Sequence, residues 1–307
     1  DQLKPRIVMG GLCAKKQKEK GPDVHPLRIG VNSDVPCPDY WIEQDITQPF
    51  RRCVKCEVDE PHELAALQEL MDNTLMPEPG QPNRRFQIEF AMRVEDWNMW
   101  DEYRRSISYI SEIRGDEANC LNTNVLSTTK TGTVEAVPLT TRVLPKAFMN
   151  RLAPECNETY LWHATSRKNA EKIIQDDFRT DHSGKANGQV LGRGIYLAES
   201  PSLSDQYACK GPQGRYCMLL VRAVLGKVHS TRRFARWRGK KLVMTTFTTK
   251  MVRKGECDSV LGDRTRQQRK DIREYCVANN TQLYPEYLIL YNRVDMNGSS
   301  AKVSPES

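Results

Sequence analysis

The chain has 307 residues, 38% of them hydrophobic and 28% charged, which is enough for a sizeable core and about two domains of typical length. That composition excludes a largely disordered chain. There is no run of about 18 apolar residues and no secretory signal, so neither a helical membrane span nor export is expected. The sequence opens at Asp1, so a piece of a longer protein is expected.

Residues 1–47 carry AKKQKEKGPD and then Pro26, Pro36 and Pro38, which reads as a loosely ordered extension or linker. Its lysines, Lys15 to Lys20, are read as surface charge on a helix-prone stretch, with a weak nuclear signal as the other reading. A strand is predicted over Arg51 to Val58. A helix follows over His62 to Leu75, with Leu64, Leu67, Leu70 and Met71 on one face. Phe86, Ile88, Phe90 and Met92 alternate through a strand to Val94, and Trp100, Tyr103, Ile107 and Ile110 take helical steps over Trp97 to Ile113. Gly115 to Pro138 reads as a loop or weak hairpin.

Beyond it come strands at Glu158 to His163 and Gly194 to Ala198, with helices at Lys168 to Asp177 and Ser202 to Tyr207. Further strands are expected at Tyr216 to Val228, at Val252, at Ile272 to Val277 and at Tyr284 to Val294. Many short strands with few helices predict an α+β fold of two packed, mostly antiparallel sheets, spanning 48–295 and followed by a tail at 296–307.

Ten cysteines are scattered through the chain, the pattern of reduced thiols in a nuclear or cytoplasmic protein. Cys53 and Cys56 form a C-x-x-C without a second pair, so they are read as strand cysteines, and no metal site is expected. Charge is uneven. Lys227 to Lys254 carries +10 against a whole-chain +7, so the remainder sums to −3. Arg232, Arg233, Arg236, Arg238, Lys240 and Lys241, interleaved with Phe234 and Trp237, suit phosphate binding by charge and stacking, or a solvated face.

Three segments carry the chemistry. LWHAT, Leu161 to Thr165, is an apolar strand ending in a histidine followed by small residues. GRGIYLAESPSLSDQY, Gly192 to Tyr207, places Tyr196 on a strand after flexible glycines, then Ser202, Ser204 and Tyr207, groups able to hold a flat amide-bearing ring. YPEYLILY, Tyr284 to Tyr291, is a strand whose alternation sets Glu286 opposite Tyr287 and Ile289. A carboxylate among apolar neighbours costs desolvation and so points to a site.

With these motifs in this order, Arg51 to Val294 resembles the poly(ADP-ribose) polymerase-like ADP-ribosyltransferases. That class is marked by a histidine, a tyrosine and a glutamate on three strands, and the last motif is similar to that of the tankyrases. The resemblance implies an enzyme that moves ADP-ribose from NAD to a macromolecule, protein first of all, as mono- or poly-ADP-ribosylation with release of nicotinamide. It implies that His163 holds the adenosine-side ribose and that Ala164, with Thr165 and Gly194 around it, and Ser204 bind the nicotinamide amide. It also implies that Tyr207 and Tyr196 flank the ring and that Glu286 is the catalytic carboxylate.

Thr180 to Val190 resembles the family's donor-site loop. One departure stands out: the family usually has glycine where this chain has Ala164. The competing readings are a catalytically weak NAD- or ADP-ribose-binding module, and a transferase acting on nucleic acid through residues 227–254. Binding of nucleic acid or poly(ADP-ribose) there would fall steeply with salt.

Overall fold

The computed structural model describes residues 37–56, 59–76, 84–115, 137–180, 190–231, 236–238, 241–243, 248–263 and 273–296. The segment read above as a nuclear signal and most of the Gly115–Pro138 and Thr180–Val190 loops lie outside the described residues.

The fold is α+β. Strands β1 (Arg51–Lys55), β2 (Arg84–Asp96), β3 (Glu158–Ala164), β4 (Ile195–Ala198), β5 (Tyr216–Val224), β6 (Val228–Thr231), β9 (Ser259–Asp263), β10 (Arg273–Val277) and β11 (Leu283–Asp295) form one sheet. Its order is β1-β2-β11-β5-β3-β4-β10-β9-β6. All pairings are antiparallel except β6 with β9. A separate pair joins β7 (Arg236–Arg238) to β8 (Lys241–Val243).

The expectation of two sheets survives in one feature. The five strands from β1 to β3 and the four from β4 to β6 are joined through the single pair Trp162↔Ala198. Two details differ from the sequence reading. The long strand predicted over Tyr216 to Val228 stops at Val224, and Gly226, at φ 54°, turns the chain into β6. Val252 lies not in a strand but in helix α6 (Thr248–Arg253).

The helix ends have local chemical causes. Helix α1 (Pro61–Asn73) starts with proline at its first position, and α2 (Trp97–Arg114) is capped by Asp96, which accepts from the Met99 N–H at 3.0 Å. Helix α3 (Leu139–Arg142) is a single short turn. Ser166 caps α4 (Arg167–Asp176), and Ser200 caps α5 (Pro201–Asp205).

Helices α1 and α4 bury their apolar stripes on the sheet. Ala170 and Ile174 of α4 join Leu161, Leu219, Val221 and Leu288 on one face, and Leu67, Leu70 and Met71 of α1 join Tyr160, Trp162, Leu220 and Tyr287 on the other. Each such large side chain contributes roughly 1.5–3 kcal/mol on burial.

The chain is packed from Cys37 onward, ahead of the boundary expected at 47/48. Trp41, 3% exposed, lies against Trp100 (5.4 Å between ring centroids) and Tyr284 (6.0 Å), and the Ile42 N–H donates to Glu95 at 3.1 Å. The reason is chemical: this proline-punctuated stretch contains aromatic residues that fill the space between α2 and β11.

Candidate active site

Beyond the pair Trp162↔Ala198 the end of β3 and the start of β4 part, and a cleft of about 490 Å³ opens there. A side chain bridges the gap: His163 Nδ1 lies 2.8 Å from the Tyr196 carbonyl. Facing a carbonyl, Nδ1 carries the hydrogen, which leaves Nε2 as the acceptor. Burial pushes the imidazole pKa below its ordinary value, only partly opposed by the bond to Tyr196. The ring is therefore neutral at neutral pH. Phe178 stands edge-on to it, with centroids 5.4 Å apart at 84°.

Tyr196 lines the cleft, and its hydroxyl donates to the Gly192 carbonyl at 2.7 Å and accepts from the Leu191 N–H at 2.9 Å. Burial first, then Cys276 and more weakly Glu274, push that hydroxyl far above its usual pKa, so it stays a phenol.

The third wall is β10. Its register sets Cys276 beside Tyr196 and Glu274 beside Ala198, so Glu274 lies on the face of the sheet that carries Tyr196. Glu274 lines the cleft and is 6% exposed. Other lining residues come from the motifs singled out in the sequence. Ala164 and Thr165 lie at the end of β3, Gly194 ahead of β4, Leu203 and Ser204 on α5, and Tyr207 just beyond it. Ser204 Oγ donates to the Trp162 carbonyl at 2.9 Å, fixing α5 against β3. Tyr207 offers a ring that is 56% exposed at the mouth.

Glu286 is elsewhere, and the expectation that it joins His163 and Tyr196 is corrected. It is absent from the cleft lining and 0% exposed. Its carboxylate accepts from Tyr160 Oη at 2.7 Å and lies 3.7 Å from Arg151 and 4.0 Å from Arg222. The cause is strand order, since β11 lies two strands beyond β3. Within β11 a register shift falls between Tyr284 and Tyr287, which face Arg222 and Leu220 of β5. Three residues advance where two would in a regular ladder, so simple alternation fails there. Arg151 also donates to Tyr287 Oη at 2.6 Å, so the Glu286 carboxylate and the Tyr287 hydroxyl share one guanidinium rather than opposite faces.

Residues 61–293 match the poly(ADP-ribose) polymerase catalytic domain. The chain belongs to that family. It is also 37% identical over 75 residues to "Poly [ADP-ribose] polymerase tankyrase" of Caenorhabditis elegans, a stretch that covers 24% of this chain and 3% of that protein. Poly(ADP-ribose) polymerase domains use NAD as substrate and transfer its ADP-ribose.

The cleft fits such a substrate. Its volume is that of a small-molecule site, and its apolar walls, Ile173, Phe178, Leu197 and Leu203, surround a few convergent polar groups. Ala164 is an ordinary strand residue paired with Met218 and outside the positive-φ set. Its methyl belongs to the core with Trp162 and Met218, so alanine in place of glycine leaves the strand geometry intact.

Cys53 is exposed and Cys56 buried, so the C-x-x-C does not converge. Among the described residues no group of three or more His, Cys, Asp or Glu side chains could hold a metal ion. Of the basic segment, the described parts are β6, the β7–β8 pair and α6. Arg232, Arg233 and Lys240 lie outside the described residues.

Gly194 owes its identity to packing. A Cβ there would lie 2.6 Å from both Cys276 Sγ and the Val277 carbonyl. Gly194→Ala is expected to cost about 1–3 kcal/mol by overpacking and to push β4 off β10, with a lower Tm and weaker NAD binding in the same variant.

The neutral His163 gives a pH signature. NAD affinity is expected to be flat from about pH 8 to 7 and to fall below about pH 6.5, where protonation removes the Nε2 acceptor. Because the folded pKa is the lower one, stability also declines as pH falls below the ordinary imidazole value of 6.5, and the decline levels off below the folded pKa. A titration of NAD binding against pH checks this, with a shallower fall expected in His163→Gln.

Proposed function

We propose that the chain transfers ADP-ribose from NAD to a protein acceptor, with Glu274 as the carboxylate of the site. The observation that carries this is the meeting of His163, Tyr196 and Glu274, from three strands, in the cleft where the sheet divides.

The chemistry needs few groups. The bond between the ribose anomeric carbon and the nicotinamide nitrogen breaks, and its electron pair leaves with neutral nicotinamide. The acceptor then bonds to that carbon and gives up its proton. Positive charge develops on the sugar as the bond lengthens, and a carboxylate held in a water-poor cleft stabilises it. Glu274 supplies that charge, and its position lets it take or orient the acceptor proton. His163 Nε2 accepts from a ribose hydroxyl. The backbone of Ala164 and the Ser204 hydroxyl hold the carboxamide, with Thr165 and Gly194 beside them, and Tyr207 and Tyr196 flank the ring. Positioning of this kind supplies much of the rate.

Supporting an intracellular site of action, in nucleus or cytoplasm, the eight described cysteines are thiols rather than disulfides. The test is incubation with labelled NAD and candidate acceptor proteins, resolved on a denaturing gel. A labelled protein band is expected for mono-transfer and a high-molecular-weight smear for polymer. Absence of label on any protein, with NAD left intact, would overturn the proposal. Label moving to added nucleic acid instead would assign the acceptor role to the basic segment.

A further inference from the structure

The cleft wall facing His163 contains a residue held in place against its own preferences. Asp177 follows the last residue of α4, lines the cleft, and stands at φ 68° and ψ 173°. That conformation suits glycine, and an L side chain is strained there. Both carboxylate oxygens are engaged. Oδ1 accepts from the Phe178 N–H and Oδ2 from Asn280 Nδ2, each at 2.6 Å. Asn280 opens the 3-10 turn Asn280–Gln282, which joins the Glu274 strand to β11. Phe178 is the buried ring that stands edge-on to His163.

Stability does not explain the residue. Burial pushes the carboxyl pKa up to about 6, with smaller pushes from Glu102 of α2 and Asp96 at its cap, and the bonds from Asn280 and Phe178 only partly offset this. A carboxyl whose folded pKa lies above its unfolded value costs stability while ionised, above about pH 6, and the cost is relieved as pH falls. Backbone strain and an ionised buried carboxylate thus act in the same unfavourable direction at neutral pH. Such outliers point to function.

We propose that Asp177 is a positioning residue for the nucleotide donor: its carboxylate ties the end of α4 to Asn280 and thereby sets Phe178 against the His163 imidazole. This rests on the reading of the cleft as the NAD site and deepens it.

The test is calorimetric binding of NAD to the full chain and to Asp177→Gly and Asp177→Asn, with Tm measured alongside. Asp177→Gly adopts the same backbone without strain, so its Tm is expected to rise by a few degrees while NAD affinity falls about tenfold. Asp177→Asn keeps a side chain that can bond the Phe178 N–H and a flipped Asn280 amide, and is expected to bind within about threefold of wild type. Wild-type affinity in a folded Asp177→Gly chain overturns this inference and leaves the NAD reading standing. Weakened binding with a parallel fall in Tm and no rescue by Asp177→Asn assigns a merely structural role and also overturns it. A folded wild-type chain that binds no NAD overturns the reading of the cleft and this inference with it.

Discussion

Glu274→Gln is expected to lower the turnover of NAD by at least about 10²-fold, with the KM for NAD within about threefold and the Tm within about 2 °C of wild type. The size follows from the loss of one preorganised electrostatic group, a change that typically costs 10²–10³ in kcat. The split between kcat and KM follows from timing. The carboxylate opposes charge that exists only as the glycosidic bond breaks, so the ground-state complex loses little. The structure supplies the reason to expect no unfolding: glutamine is isosteric, and the ladder pairing of residue 274 with Ala198 and Gly262 is made by the backbone. Steady-state kinetics with a thermal melt on the same preparation checks all three quantities.

Glu286→Ala is expected to do the reverse: a loss on the order of 3 kcal/mol of stability, read as a Tm lower by roughly 6–12 °C, with activity per folded molecule within about fivefold. The side chain sits in a buried ionic network. Arg93 bonds Glu63 and Glu95 at 2.6 and 2.7 Å, Arg151 bonds Glu63 at 2.5 Å, and Arg222 bonds Glu158 at 2.7 Å. Tyr40 closes it, accepting from Arg222 at 2.8 Å with its ring 3.7 Å beneath the Arg151 guanidinium. Truncating Glu286 leaves the Tyr160 hydroxyl without its acceptor and removes a negative charge beside two buried guanidiniums. The desolvation cost of those groups then goes uncompensated. Glu286→Gln retains an acceptor for Tyr160 and is expected to be milder than alanine. Denaturant melts of both variants, with activity normalised to folded protein, check the prediction.

The contrast between these glutamates marks the limit of what the sequence could show. Helices α1 and α2 were legible because their apolar residues recur at helical steps, and β2 because it alternates cleanly. His163, Tyr196, Ser204 and Tyr207 were legible as motifs, and the fold places all four in one cleft. Glu286 and Glu274 carry the same local signal, a carboxylate within an apolar strand, YPEYLILY in one case and REYCV in the other. Which of them meets His163 depends on strand order, since β10 is the neighbour of β4 while β11 lies two strands beyond β3. Alternation also misled at Glu286, because Pro285 and Glu286 fall within the register shift of β11 and the period of two lapses there. The α6 turn at Val252 and the break at Gly226 escaped for similar reasons. A lone apolar residue has no period, and a strand with one glycine ending reads as continuous.

The most direct measurement is release of nicotinamide from NAD by the wild-type chain, Glu274→Gln and Glu286→Gln, each verified as folded. Release by the wild type and by Glu286→Gln, with loss of at least about 10²-fold in Glu274→Gln, is the expected result. Full release by Glu274→Gln together with its loss in a folded Glu286→Gln chain would contradict the assignment of the cleft carboxylate.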